Sequence, residues 1–285
     1  MSNKFDSGKL YHIKCTGDAL VTAEAHSVDA PITLFGACFC PFVHRVWVAL
    51  EYLGIPYKVN EINPYQNPKP QELLEISPKG LVPALKLHEY NPPRALNEST
   101  IILEYLEEVA KNTGKRSLLP PTNNPYARSL IRLQADHVSR ILIPAWYRYL
   151  QAQDIEKQIA GGRDLHDAIA GLVKLFERAE EELGGDPELR KSLGLWVEGG
   201  DLGWADVMVA PWIYRASNVL KHYRAFEMPQ GDKFNAWTQR VFNHPSFKRT
   251  CSTDQLYLDS YERYAYNRPN TSQVADAINA GRALP

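Results

Sequence analysis

The thiol of Cys40 is the most reactive group that the sequence suggests, because Pro41 follows it at the start of a helical pattern. Apolar residues at helical spacing continue through Val43, Val46, Trp47, Leu50 and Leu53, and Gly54 ends the pattern. A thiol just before a helix faces unpaired backbone N–H groups and the positive end of the helix dipole, which stabilise a thiolate. We therefore predict a nucleophilic Cys40 whose pKa lies below the ordinary value of about 8.5. For an isolated cysteine, the alternative is a buried core residue.

The elements that position Cys40 belong to a compact α/β unit over residues 31–111. A short apolar strand at 31–37 precedes the cysteine, and the helix begins at Pro41. The pattern then predicts a strand at 55–63, a short helix at 70–76, a turn at 77–80, strands at 84–88 and 94–96, and a helix at 99–110. The predicted order is β-α-β-α-β-β-α.

The second half of the chain has a different character. A linker rich in proline and asparagine, placed at 112–124, separates the first domain from residues 125–252, where only helical patterns occur. The strongest patterns cover 126–152, 164–183, 204–220 and 233–242. We predict an all-α domain there, an irregular N-terminal extension at 1–30, and a polar tail at 253–285 with one weak helical stretch.

Composition excludes several classes of function. The 32 lysines and arginines nearly balance the 33 acidic residues, so no overall field favours nucleic acid or an anionic membrane. No run of about 18 apolar residues suggests a membrane span, and the N-terminus lacks a secretory pattern. The four cysteines predict free thiols in a reducing compartment, the cytoplasm, and no Cys/His spacing suggests a metal site.

Three motifs together give the chain a resemblance to the cytosolic glutathione transferases, most closely the cysteine-type omega class of fungal-like proteins. They are Phe39-Cys40-Pro41-Phe42, the segment Gly80-Leu81-Val82-Pro83-Ala84 with Lys69-Pro70 13 positions before Val82, and Asn97-Glu98-Ser99. The resemblance covers residues 31–250. It implies a thioredoxin-like N-terminal domain followed by an all-helical domain.

The resemblance also implies a glutathione site. Its residues would be Phe42, Lys69, Leu81, Val82, Pro83, Glu98 and Ser99. Val82 would pair its backbone with the cysteinyl part of glutathione, as an added strand does, beside a cis Pro83. Glu98 and Ser99 would hold the γ-glutamyl end at a helix start, and Lys69 the glycine carboxylate. Taken alone, these residues also fit a helix cap, an ordinary loop and a solvated charge.

The acceptor site would lie between the domains, with Trp146, Tyr147, Trp212 and Tyr214 as wall residues. Each of these aromatic residues also suits the helix–helix core. The expected partners are glutathione, as cosubstrate, and small aromatic, electrophilic or disulfide substrates. The resemblance further implies a homodimer, and we expect no metal, nucleic acid or membrane.

Two departures from the family pattern qualify the prediction. Position 43, where dithiol redox enzymes keep a resolving cysteine, is Val43, so the mechanism should use one thiol, and Cys38 is interpreted as structural. In Gly203-Trp204-Ala205-Asp206 the usual capping hydroxyl is missing. Asp206 should then bond back to the helix start, as a folding residue.

The predicted function is a glutathione-dependent thiol transferase or reductase. Cys40 would attack a glutathione mixed disulfide or conjugate, form a mixed disulfide with glutathione, and be released by a second glutathione. Dehydroascorbate is another possible electrophile. The alternatives are a conjugating transferase and a non-enzymatic carrier of aromatic ligands.

Overall fold

The N-terminal domain is built on a four-stranded mixed sheet. The structure, a computed structural model, describes residues 8–114 and 116–285. The strands are β1 (Ile32–Gly36), β2 (Lys58–Glu61), β3 (Ala84–Leu87) and β4 (Arg94–Asn97). Their order in the sheet is β2-β1-β3-β4, with β1 parallel to β2 and antiparallel to β3, and β3 antiparallel to β4.

Helices make up most of the remaining described chain. They are α1 (Gly17–Ala25), α2 (Pro41–Leu53), α3 (Gln71–Ile76), α4 (Ser99–Asn112), α5 (Pro125–His137), α6 (Ile143–Gln151), α7 (Ile155–Leu183), α8 (Pro187–Lys191), α9 (Trp204–Arg215), α10 (Lys221–Arg224), α11 (Asp232–Asn243), α12 (Pro245–Lys248), α13 (Asp254–Ala265) and α14 (Gln273–Asn279). Two π-helical turns, Val138–Leu142 and Ala216–Leu220, join α5 to α6 and α9 to α10. The predicted combination of an α/β domain and an all-helical domain is confirmed.

The central strand β1 is buried along its whole length, as expected of a strand covered on both faces. Helix α3 covers a small apolar cluster that includes Phe35, Leu73 and Ile76. Helices α2 and α4 pack against each other, and α2 also packs against α9 of the helical domain. The helix that begins after Cys40 is therefore held between the two domains.

Asp206 fixes the start of α9, as the sequence predicts. Its Oδ2 accepts hydrogen bonds from the backbone N–H of Gly203 at 2.9 Å and of Leu195 at 2.8 Å, and its Oδ1 accepts one from Trp237 Nε1 at 2.8 Å. Gly194 has φ +95°, and a Cβ there would meet Asp206 Oδ2 at 2.7 Å. The carboxylate thus joins the start of α9 to Leu195 and to Trp237 of α11 inside the helical domain.

The prediction of an irregular N-terminal extension is wrong for the part that the structure describes. Helix α1 buries Ala19, Thr22 and Ala23, and Ala19 N–H donates to the Cys251 carbonyl at 3.0 Å. The Thr22 hydroxyl donates to the Arg249 carbonyl at 2.7 Å. This nine-residue helix is hard to recognise from the sequence alone, because its stability comes from these tertiary contacts. The first seven residues lie outside the described part.

The C-terminal tail is also more ordered than predicted, since α13 and α14 replace a single weak helical stretch. Helix α13 buries Leu256, Tyr257, Tyr261 and Tyr264. The Ser272 hydroxyl accepts a hydrogen bond from Ala275 N–H at 3.0 Å and so caps α14. Tyrosines spaced at i, i+4 and i+7 form an apolar helix face whose hydroxyls make it look polar in the sequence. The last helices thereby become part of the helical domain.

Candidate active site

Cys40 occupies the position immediately before α2, with extended backbone angles of φ −73° and ψ 122°. Its N–H donates to the Ala37 carbonyl at 3.0 Å, and its own carbonyl accepts from His44 N–H at 3.0 Å. The Cys40 sulfur lies 3.8 Å from the Val82 carbonyl oxygen. The Val82–Pro83 peptide bond is cis, as the resemblance implies. The strand-to-helix turn and the cis-proline turn therefore meet at the thiol.

The acidity of Cys40 differs from the sequence prediction. Burial raises the pKa of the Cys40 thiol above its ordinary value, although the N–H groups of Val43 and Phe42 and the guanidinium groups of Arg215 and Arg45 oppose that rise. The helix start acts in the predicted direction, but desolvation outweighs it. The expected net lowering of the pKa is therefore wrong.

Six of the seven predicted glutathione-binding residues line one cavity beside α4. They are Phe42, Leu81, Val82, Pro83, Glu98 and Ser99. The cavity has an empty volume of about 970 Å³, including the part open to solvent. Ser139 and Ile143 of the helical domain and Val274 of α14 also contribute to its wall, so the two domains share it.

Lys69 is the predicted residue that does not lie on this wall. Its Nζ donates to the carbonyls of Pro64 at 2.7 Å and Gly80 at 2.8 Å, so two of its three donors are used by the segments before and after α3. Gly80 has φ +61°, and a Cβ there would meet Lys69 Cδ at 2.4 Å. A cation that does line the cavity is Lys79, which precedes Gly80 in the segment after α3 and which sequence reasoning missed.

The backbone at Glu98 is strained. Glu98 precedes α4 with φ 70° and ψ 112°, and Ser99 is the first residue of the helix. A positive φ at a residue other than glycine costs roughly 1–3 kcal/mol and is found preferentially at ligand sites. Both residues line the cavity, and the buried Ser99 hydroxyl accepts a long hydrogen bond from Arg45 Nη1 at 3.4 Å.

A second, largely apolar cavity is lined by Cys40 itself. Aromatic residues and Cys40 form most of its wall: Phe39, Cys40, Phe42, Tyr65, Tyr147, Tyr261 and Tyr264. Tyr147 is the one predicted acceptor residue found there. Trp146 and Trp212 are buried in the helical core, and Tyr214 lines a different cavity near Cys251. Two further wall residues, Tyr261 and Tyr264 of α13, were not predicted from the sequence. The spacing of aromatic residues along this segment could have indicated a buried helix face there.

Two phenols of this second cavity are hydrogen-bonded to each other. Tyr65 and Tyr264 hydroxyls are 3.2 Å apart, and Tyr264 donates to Ser272 Oγ at 2.8 Å. Tyr147 and Tyr261 line the same cavity. Burial raises the pKa of Tyr264 to about 12 and that of Tyr65 well above its ordinary value. These phenols are therefore neutral near pH 7.

Buried Arg215 joins the thiol segment to the helical domain. Its Nη2 donates to the Phe39 carbonyl at 3.1 Å and its Nη1 to the Pro211 carbonyl at 3.0 Å. Its guanidinium carbon lies 4.2 Å from the ring centre of Tyr257. This arginine both fixes the residue before Cys40 and places a positive charge near the thiol.

Comparisons with family models and with solved structures indicate the same protein family. The family model Glutathione S-transferase, N-terminal domain, matches residues 39–109, and Glutathione S-transferase, C-terminal domain, matches residues 163–240. The crystal structure of glutathione transferase Omega 3C from Trametes versicolor is 32% identical, with 89% of this chain and 98% of that chain covered and a TM-score of 0.70. This chain belongs to the glutathione S-transferase family.

Curated relatives of this glutathione S-transferase come from several classes. Pyrimidodiazepine synthase of Drosophila melanogaster is 26% identical over 246 residues, which cover 85% of this chain and 89% of the relative. Glutathione S-transferase DHAR2 of Arabidopsis thaliana is 25% identical over 224 residues, which cover 78% and 89%. The family fold, a small mixed sheet with helices followed by a helical domain, matches the architecture described above.

Two further observations concern residues 8–114 and 116–285. Within them, no three His, Cys, Asp or Glu side chains group together in a way that could hold a metal ion. In the same residues, no helix is long and apolar enough to cross a membrane.

Proposed function

We propose that this glutathione S-transferase is an omega-like thiol transferase, in which Cys40 removes glutathione from mixed disulfides. The observation that carries the proposal is the position of the Cys40 sulfur. It lies 3.8 Å from the carbonyl oxygen of Val82, a residue of the cavity beside α4, which we call the glutathione-type cavity. Cys40 also lines the second cavity, which we call the aromatic cavity. A thiol at the junction of the two cavities can exchange glutathione with a second sulfur compound.

The reaction consists of two thiol–disulfide exchanges. The Cys40 thiolate attacks the glutathionyl sulfur of a mixed disulfide; the Cys40–glutathione disulfide forms, the original S–S bond breaks, and the leaving thiolate takes a proton from solvent. A second glutathione thiolate then attacks the glutathionyl sulfur, which gives oxidised glutathione and restores the Cys40 thiolate. One disulfide is consumed and one is formed, so electrons balance. A reducing compartment such as the cytoplasm supplies the glutathione.

The two cavities suit the two reactants. Glutathione would lie along Val82, with its γ-glutamyl end at Glu98 and Ser99 at the start of α4. The other half of the disulfide would lie among the aromatic residues, where the neutral phenols of Tyr147 and Tyr264 line the cavity. The similarity to an omega transferase and to a protein named DHAR2 supports thiol reduction, with dehydroascorbate as an alternative electrophile.

We also propose a homodimer, which is typical of the family. Large apolar side chains on α4, on α5 and in the turn after α5 support a subunit contact, because Ile101, Leu133 and Ile141 are each about half exposed. Light scattering should therefore give twice the monomer mass.

The proposal is tested by the mass of the intact protein after incubation with oxidised glutathione. The wild type should gain one glutathionyl group, whereas Cys40→Ser should gain none. Cys251→Ser is the matched control, because Cys251 is a partly buried thiol outside both cavities; it should behave as the wild type. An adduct that survives in Cys40→Ser, or its absence from the wild type, would contradict the thiol mechanism in favour of conjugation or ligand carriage.

A further inference from the structure

Arg215 of α9 is a buried cation without an acidic partner. It is 1% exposed, and none of the ion pairs found in residues 8–114 and 116–285 includes it. Burial acts to lower the pKa of Arg215, but the surrounding phenols and thiols raise it above its ordinary value, so the guanidinium is charged at neutral pH. A buried charge without a counter-ion costs free energy, and an anion that forms beside it is therefore stabilised.

The imidazole of His44 holds the guanidinium without neutralising its charge. His44 Nδ1 lies 3.3 Å from Arg215 Nη1. Because a guanidinium nitrogen can only donate, Nδ1 is the acceptor and the proton of the neutral ring is on Nε2. This Nε2–H donates to Thr250 Oγ1 at 3.0 Å. Burial and the charge of Arg215 lower the pKa of His44 well below its ordinary value, so the ring stays neutral.

The same guanidinium holds the segment that carries the thiol. Its Nη2 donates to the carbonyl of Phe39, the residue before Cys40, at 3.1 Å. This peptide group lies in the turn from β1 into α2, in which the Cys40 N–H donates to the Ala37 carbonyl at 3.0 Å. Arg215 therefore ties the turn to α9 and places its charge near the thiol.

Neutral phenols and one further cation face the Cys40 sulfur from the other elements packed around it. They are Arg45, Tyr65, Tyr147, Tyr261 and Tyr264. Burial raises the pKa of each of the four phenols, so all are neutral near pH 7. Arg45 is also buried, and no acidic side chain of the described chain lines the aromatic cavity. The Cys40 thiolate is therefore the anion that can balance these buried charges.

Two phenols and a second thiol face Arg215 from other directions. The ring centres of Tyr257 and Tyr261 lie 4.2 and 6.0 Å from its guanidinium carbon. Burial raises the pKa of both phenols above the ordinary value and that of the Cys251 thiol to about 12. These three groups keep their protons near pH 7, so none of them neutralises the guanidinium.

We propose that Arg215 is a positioning residue of the thiol reaction, which fixes the turn at Cys40 and balances the charge of the Cys40 thiolate. Neutral His44 keeps Arg215 in place and leaves its charge for the thiolate. The inference deepens the proposed function and rests on it. In the second exchange, glutathione thiolate attacks the glutathionyl sulfur, and the electron pair of the broken S–S bond leaves with the Cys40 sulfur. A cation beside that sulfur favours the release of Cys40.

The ratio of two alkylation rates tests the charge beside Cys40. Iodoacetate and iodoacetamide have nearly the same size, but only iodoacetate is negative, so their rate ratio at one thiol reports the local potential. Arg215→Met should lower the iodoacetate/iodoacetamide ratio at Cys40 at least about threefold. Arg215→Lys, which keeps a charge, should retain most of the wild-type ratio. The matched control is Arg240→Met on α11, where Arg240 also donates to backbone carbonyls; it should keep the wild-type ratio.

His44→Asp and His44→Asn test the same charge without removing Arg215. The two variants have nearly the same shape, and both lose the hydrogen bond to Thr250, so they differ in one charge. An aspartate carboxylate would neutralise the guanidinium that the imidazole leaves charged. The ratio in His44→Asp should therefore be at least about threefold below that in His44→Asn. This pair decides the question if Arg215→Met does not fold.

A purely structural arginine would change the two alkylation rates together. A wild-type ratio in Arg215→Met, an equal loss in Arg215→Lys, or equal ratios in the two His44 variants would therefore overturn the inference. The glutathione adduct of wild-type Cys40 judges the proposed function separately, because alkylation needs no glutathione. Absence of that adduct, with the alkylation ratios as expected, would refute thiol transfer and leave Arg215 as the counter-charge of a reactive thiol.

Discussion

The Cys40 sulfur and the Val82 carbonyl oxygen, 3.8 Å apart, bring together two segments that are 42 positions apart in the chain. One segment is the turn from β1 into α2, and the other is the loop that leads into β3. Any extended peptide that pairs with the Val82 backbone therefore passes close to the thiol. In the proposed reaction, this contact rather than an unusually acidic cysteine would place the glutathionyl sulfur beside Cys40.

Cys40 should be alkylated by iodoacetamide before the other three cysteines. Burial raises the pKa of Cys38 and Cys251 to about 12, and Cys15 is buried in the core. Cys40 combines two helix N–H groups with two nearby guanidinium groups that oppose the rise. Its rate should increase with pH through the range 7–8.5 without a plateau, because its pKa lies above the ordinary value of about 8.5. Peptide mass mapping over time measures all four rates, and a slowest Cys40 would refute the assignment.

Lys79 should contribute more to glutathione binding than Lys69. Lys79 lies on the cavity wall, whereas Lys69 donates to the backbone carbonyls of Pro64 and Gly80 on either side of α3. Lys79→Ala should raise the Michaelis constant for glutathione about two- to fivefold, as expected for a solvent-exposed ion pair, with a smaller change in turnover. Lys69→Ala should act mainly on thermal stability. A larger increase in the Michaelis constant for Lys69→Ala would restore the assignment made from the sequence.

The elements around Cys40 were predictable because their signals are local. Pro41 and Gly54 mark the two ends of α2, and the alternation of strands and helices gives the order of the whole first domain. Gly203 and Asp206 likewise indicate the start of α9. Each of these predictions depends on residues that are close together in the sequence.

The remaining parts of the site depend on contacts between distant segments. The wall of the aromatic cavity includes Tyr261 and Tyr264, which belong to a segment that the sequence predicts to be a polar tail. The pKa of Cys40 depends on how deeply α9 and α13 cover it, and a motif at 39–42 contains no information on that depth. The buried charge of Arg45 likewise becomes visible only when the partners of its guanidinium are known.

Tyr264→Phe should weaken the reaction with the acceptor substrate and leave the binding of glutathione unchanged. The change removes the hydroxyl that contacts Tyr65 and Ser272 in the aromatic cavity and leaves the ring in place. We expect kcat/KM for a mixed disulfide to fall by about two- to tenfold, the effect of one neutral hydrogen bond, at an unchanged Michaelis constant for glutathione. The control is Tyr266→Phe, since Tyr266 is exposed on the same segment. Equal effects of the two variants would remove Tyr264 from the acceptor site.

The free energy of unfolding should decrease as the pH rises above about 8.5. Burial raises the pKa of Cys38, Cys251 and Tyr264 to about 12 in the folded protein. In the unfolded chain, cysteine loses its proton near pH 8.5 and tyrosine near pH 10, so the unfolded state binds fewer protons between these values and about pH 12. Stability must then fall with pH in that window. Urea midpoints at pH 7.5 and 10.5 measure the effect, and equal midpoints would contradict it.

Arg224 should be important for the stability of the helical domain without taking part in binding. Its guanidinium donates hydrogen bonds to carbonyls at the ends of three helices, those of Tyr149, Leu150, Ala152, Tyr223 and Ala265. The last carbonyls of a helix lack partners within it, so Arg224→Met should leave several of them unpaired and lower the free energy of unfolding by about 2–4 kcal/mol. Arg140→Ala is the control, because the exposed pair of Arg140 with Asp136 should contribute less than about 0.5 kcal/mol. Urea unfolding compares both variants with the wild type. An equally small loss in Arg224→Met would show that water replaces the guanidinium at these helix ends.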